Sequence, residues 1–167
     1  VQFDLLRLFH PAPATDAGFR GLPYITQTST KAPEALATAD ILQRVNADLA
    51  HAAQLLKTAD PILKPRNTMG EFDRRLRTFQ MNYYAVKAVQ ARVALWQGNY
   101  ETAAAQADSV LAHLQNTASR YRLFYWVTPG HYGSDFSFSR EYVFGIASKP
   151  DGLARLSDDM FKARGIQ

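Results

Sequence analysis

Apolar and polar positions along this chain follow a helical rhythm in its middle and lose it at both ends. Between Ile41 and Leu56, the residues Ile41, Leu42, Val45, Leu49, Ala52, Leu55 and Leu56 return at helical spacing, with Gln43, Arg44, Asn46, Asp48 and Gln54 on the other face. Thr38 or Asp40 is available as N-cap, and Pro61 and Pro65 end the helix. A second helix is predicted through FQMNYYAVKAVQARVALW, where Phe79, Tyr83, Val86, Val93 and Trp96 form one stripe and Tyr84, Ala88, Ala91 and Leu95 another. A helix apolar on two faces lies between neighbours. Ala85, Ala88, Ala91 and Ala94 would let one of them come close. Gly98-Asn99 suits a left-handed C-cap and a tight turn. From Tyr100 a third helix carries Ala103, Ala104, Ala107, Val110, Leu111 and Leu114 along one side, and so short a turn packs the two helices antiparallel.

Outside residues 38–114 the pattern breaks. In VQFDLLRLFH, residues Phe3, Leu5, Leu6, Leu8 and Phe9 read as the last turns of a helix already under way, so the expectation is an internal fragment of a longer protein, with any signal peptide or lipid anchor upstream. Residues 10–37 read as a long irregular loop, broken by His10-Pro11, Ala12-Pro13, Gly18, Gly21 and Pro23 and pinned by Phe19, Leu22, Tyr24 and Ile25. Residues 115–167 are aromatic and rich in Gly and Ser; EYVFGI reads as a short strand or an extended segment against the helices, and a short helix is predicted from Ser157, with Asp158-Asp159 favourable to its dipole. The whole is a single domain: helix end 1–9, loop 10–37, helices 38–114, aromatic segment and short helix 115–167.

Composition narrows the class. The 167 residues are 47% apolar and 20% charged, ordinary for a chain that buries a core, and no apolar run approaches the roughly 20 residues of a membrane-spanning helix. Cysteine is absent, which removes thiol catalysis, thiolate metal sites and disulfides. The net charge of +4 is spread along the chain, which argues against a nucleic-acid partner. The most basic stretch holds Lys64, Arg66, Arg74, Arg75 and Arg77 among Glu71 and Asp73, and reads as a solvated approach to a helix, with a phosphate or acidic-partner site as the alternative.

The spacing Leu95, Gly98, Tyr100, Ala103 is that of the turn in a tetratricopeptide-like unit, and the Ile41 to Leu56 helix would partner another. FDLLRLFHPAP followed by GLPYIT, TADILQRVNADLAHAAQLL, MNYYAVKAVQARVALWQGNYETAAAQADSVL and SREYVFGIA, in that order, resemble the SusD/RagB family of outer-membrane nutrient-binding lipoproteins over nearly the whole chain. The resemblance implies an all-α fold, a tetratricopeptide-like helical-repeat scaffold forming a right-handed superhelix with long irregular loops. It also implies a surface lipoprotein of the outer membrane, seated as a lid on a TonB-dependent transporter and capturing oligosaccharide or another nutrient.

Catalytic patterns are missing. The four histidines, His10, His51, His113 and His131, have no second ligand at helical spacing and read as surface or loop residues, so no metal or other cofactor is expected. Asp135 and Glu141 flank an aromatic loop, but nothing sets a glycosidase separation between them, and there is no nucleophile elbow or phosphate loop, so the expectation is a non-enzyme. Binding chemistry remains. A sugar offers a C–H face to flat aromatic rings and a hydroxyl rim to polar groups. Tyr125, Trp126 and Tyr132 supply rings, and Arg122, His131 and Asp135 supply polar groups, with Tyr121 and Phe124 nearby. Trp126 and Tyr132, close to Pro129, Gly130 and Gly133, are the rings most expected to be exposed. Two rival classes are a tetratricopeptide-like protein-interaction module and a glycan-cleaving enzyme.

Overall fold

The computed structural model describes residues 1–28, 30–31, 33–63, 76–117, 122–131 and 138–146. Four helices dominate them: α1 Gln2–Phe9, α2 Thr38–Ala59, α3 Tyr83–Trp96 and α4 Tyr100–Asn116. The fold is all-α, with one small antiparallel ribbon among the described residues, β1 Arg20–Leu22 against β2 Leu36–Ala37. No helix among the described residues is long and apolar enough to cross a membrane. The helix expected from Ser157 and the basic residues Lys64, Arg66, Arg74 and Arg75 lie outside the described residues.

Residues 10–37 are therefore not wholly irregular, and the ribbon explains a second difference from the sequence reading. A helix start leaves its first N–H groups without partners. Here the Thr38 amide donates to Phe19 O at 2.9 Å and the Ala39 amide to Ala17 O at 3.0 Å, so the folded-back loop caps α2 with backbone carbonyls. Neither Thr38 nor Asp40 is the N-cap; that place falls to Ala37. The Thr38 hydroxyl instead donates to Phe19 O at 3.3 Å and lies 2.7 Å from His10 Nδ1. His10 is buried, and Gly21 is the residue that makes room for it: a Cβ there would stand 3.0 Å from His10 Nε2 and 2.9 Å from the Phe19 ring. Further along the loop, the Tyr24 hydroxyl donates to Asp48 on α2 and its ring lies 5.8 Å from the Arg44 guanidinium.

Helices α2, α3 and α4 run antiparallel in succession. Asn46 of α2 donates to Gln97 after α3 at 3.2 Å, whereas Asp60 after α2 accepts from the Tyr83 amide at the start of α3 at 2.9 Å. Lys87 reaches Gln106 at 2.9 Å, and Tyr84 stacks on His113 with ring centroids 4.4 Å apart, which sets α4 against α3 in the opposite sense. The turn between them is a Schellman motif: Gly98 has φ of +79°, its amide donates to Leu95 O, and the Asn99 amide donates to Ala94 O at 2.9 Å. Asn99 then caps α4 through the Thr102 amide at 3.1 Å.

Helix α3 is shared between two cores, as its two apolar faces require. At its C-terminal end Val93 joins Phe3, Leu6, Ile41, Leu42 and Val45, with Val89 and Trp96 packed alongside. At its N-terminal end Tyr83, Tyr84 and Ala88 pack on Ile62, Val110, Leu114, Leu123 and Phe124. Not every stripe residue faces a core. Phe79 precedes the helix, which begins only at Tyr83 because Asn82 caps it; Leu55, Leu95 and Leu111 are exposed; and Tyr100, first residue of α4, is 71% exposed.

Candidate ligand-binding surface

The aromatic segment is built onto the second core through one histidine. In α4, His113 shares the inward face with Val110 and Leu114 and is 3% exposed. Its Nε2 accepts the Leu123 amide at 2.9 Å, so the ring proton of the neutral imidazole sits on Nδ1, 3.2 Å from Thr117 Oγ1. The ring lies between Tyr84, at 4.4 Å, and Phe124, at 5.3 Å. Burial, with the Arg122 guanidinium as a lesser cause, pushes the His113 pKa down to about 4. Burial likewise raises the pKa of the Tyr84 phenol, with Tyr83 and Asp60 adding to it.

From that anchor the chain runs outward beside residues 138–146. The Tyr125 amide donates to Arg140 O at 2.9 Å, and the Val127 amide donates to Glu141 Oε1 at 2.8 Å. Residues 138–146 are themselves tied to the start of α3. Asn82, fully buried at the N-cap, accepts the Ala85 amide at 2.9 Å and donates to Val143 O at 2.8 Å; Gly145 donates to Thr78 O at 2.9 Å. EYVFGI is thus not a strand but a segment laid on the start of α3, its first residue closing a 3-10 turn, Ser139–Glu141, and its chain bending at Val143 and Phe144. Phe138 before it has φ of +54°, a backbone region that a non-glycine residue keeps only where its surroundings hold it.

Trp126 stands between these pins. Phe124 and Val127 turn inward, while the Trp126 ring is 63% exposed and makes no ring contact or hydrogen bond among the described residues. The other sequence candidates serve differently. Tyr125 is half-buried on the second core with the Arg140 guanidinium 5.3 Å from its ring centroid. Arg122 donates through Nε to Thr117 O at 2.9 Å, capping the end of α4 and leaving the rest of its fork of donors unspent among the described residues. Tyr132 and Asp135 lie outside the described residues, as does the side chain of His131, whose backbone closes the Pro129–His131 turn. Glu141 is engaged with the Val127 amide.

Two corrections concern histidines. His113 is buried inside α4, neither a surface nor a loop residue, and His10 opens the loop but is buried; among the described histidine side chains His51 alone is exposed. Helical spacing held the signal for His113, three residues after Val110 and one before Leu114. No group of three His, Asp or Glu residues able to hold a metal ion occurs among the described residues. A cavity of about 510 Å³ is lined by Leu56, Ala59, Asp60, Pro61, Leu76, Arg77 and Gln80. Its polar groups are turned on one another: Arg77 donates to both Asp60 oxygens, at 3.2 and 2.9 Å, and to Gln80 at 3.2 Å.

Comparison of the chain with protein-family models, curated proteins and solved structures finds no match.

Proposed function

We propose that this chain is a non-catalytic carbohydrate- or nutrient-binding subunit of an outer-membrane uptake complex, a SusD/RagB-like surface lipoprotein working with a TonB-dependent transporter. One observation carries the binding part: an indole held outward by hydrogen bonds at the residues on both sides of it. The main chain that carries the ring is fixed in this way, so a flat ligand that stacks on it need order only the side chain's own rotamers, which favours recognition through a C–H face. The finer reading of the fold, a tetratricopeptide-like right-handed superhelix, is supported by the three successive antiparallel helices and by the left-handed turn at Gly98.

Affinity electrophoresis in gels containing starch, dextran or xylan tests the proposal. The wild type is retarded by at least one polysaccharide; Trp126→Ala loses that retardation while its melting temperature stays within about 2 °C, because an exposed ring contributes little to stability. Retardation unchanged in Trp126→Ala sinks the assignment of the surface. The alternative, a tetratricopeptide-like protein-interaction module, draws on a different feature, the exposed Leu95 and Tyr100 flanking the α3–α4 turn. It requires peptide capture that Tyr100→Ala weakens and Trp126→Ala does not.

A further inference from the structure

The candidate surface depends on a residue that does not touch solvent. Residues 122–127 meet α4 through the packing of Leu123 and Phe124 with Val110 and Leu114, through Arg122 Nε on Thr117 O and through the His113 imidazole, and the last of these contacts exists in only one protonation state. Because the Leu123 amide donates to Nε2 at 2.9 Å, the nitrogen must present a lone pair; a proton there would set N–H against N–H and leave a buried amide without an acceptor. We infer that His113 is the positioning residue of the Trp126 surface, a latch whose neutral imidazole holds residues 122–127 against α4 and whose protonation releases them.

The surroundings agree with a latch. Among the described residues, the titratable and charged groups that face the ring are Tyr84 on α3 and Arg122 on the segment itself. Neither supplies an anion for an imidazolium. The phenol is neutral over the whole acid range, since its pKa is raised, and the guanidinium is a like charge. The aromatic faces of Tyr84 and Phe124 offer a cation some attraction, but burial outweighs it, as the depressed pKa of about 4 records. One other titratable group anchors the segment, Glu141 on the Val127 amide, and it must be separated from His113 by experiment. The inference rests on the carbohydrate-binding reading only in its consequence, that ligand capture weakens in acid; the latch itself is measured without ligand.

The experiment is amide hydrogen exchange of Leu123 by NMR in the ligand-free protein, with the amides of α3 as reference, between pH 7 and pH 4. Opening at Leu123 relative to α3 rises about 100-fold as pH falls across that range, from a histidine that prefers its proton in the opened state. His113→Gln keeps an oxygen acceptor for the amide and removes the rise; Glu141→Gln leaves the rise in place. A rise that persists in His113→Gln, or that disappears in Glu141→Gln, overturns the inference. Should His113→Gln fail to fold, the wild-type titration of the His113 ring protons decides: titration in the ordinary histidine range near 6.5 with Leu123 still protected also overturns it. Gel retardation keeps the two readings apart. An opening latch in a protein that no polysaccharide retards at pH 7 upholds His113 as the latch and refutes carbohydrate binding.

Discussion

Asp60 shows how a single carboxylate joins three parts of this chain. Its side chain is fully buried and accepts from Arg77 at both oxygens, from the Ile62 amide at 3.2 Å and from the Tyr83 amide at 2.9 Å. It therefore ends α2, shapes the Pro61–Leu63 turn and starts α3. Arg77, itself 12% exposed, has no other carboxylate to pair with among the described residues. Truncating one partner of such a pair leaves the other buried and uncompensated, so Asp60→Ala lowers unfolding free energy by about 3–5 kcal/mol. Urea denaturation measures this, and a loss below about 1 kcal/mol contradicts the account. The contrast is Arg92 with Asp4, at 3.1 Å but half-exposed on both sides, where solvent holds the contribution to at most about 1 kcal/mol. Distance alone does not rank the two pairs; burial does.

At the scale of elements, α4 carries the larger resolved dependence of stability on pH. The folded state depresses the His113 pKa from 6.5 to about 4, so the unfolded chain binds the proton more readily between those values. The contribution is complete above about 6.5, is lost as pH falls towards 4, and amounts to roughly 3 kcal/mol. Burial lowers the His10 pKa as well, a loss of the same sign. Urea midpoints at pH 7 and pH 4.5 should therefore fall for the wild type and fall less for His113→Gln; equal shifts would remove His113 as the cause. The N-caps add no such dependence, since Asn82 of α3 and Asn99 of α4 do not titrate and α2 is capped by carbonyls; His10, the C-cap of α1, is the cap residue that does.

At the scale of the molecule, frame and surface are separate. Val93 is fully buried where α1, α2 and α3 meet, and Val93→Asp places an unpaired charge there, so loss of the cooperative transition in thermal melts followed by circular dichroism is expected. A folded Val93→Asp protein that no longer binds would show that frame and surface had been divided wrongly. Helical periodicity made most of the frame legible: the stripes of α2, α3 and α4, the Gly98 turn and the need for neighbours on both sides of α3 are local properties, set by spacing of 3.6 residues and by a backbone that only glycine adopts cheaply.

Other features depended on residues far apart in the chain. The β1–β2 ribbon and the backbone cap of α2 are not legible in the short run around Gly21, since they form only when residues 17–22 fold back on residues 36–39. The same holds for His113, whose place in a helix was plain but whose acceptor role was decided by the arrival of Leu123. Composition singled out the aromatic stretch as a place for stacking chemistry. Which ring faces water was decided by pairing at a distance: Arg140 and Glu141 hold Tyr125 and Val127, and Trp126 between them is left pointing out. Periodicity is a property of neighbours in sequence, whereas exposure and protonation are properties of neighbours in space, and the second kind exists only once the chain has closed.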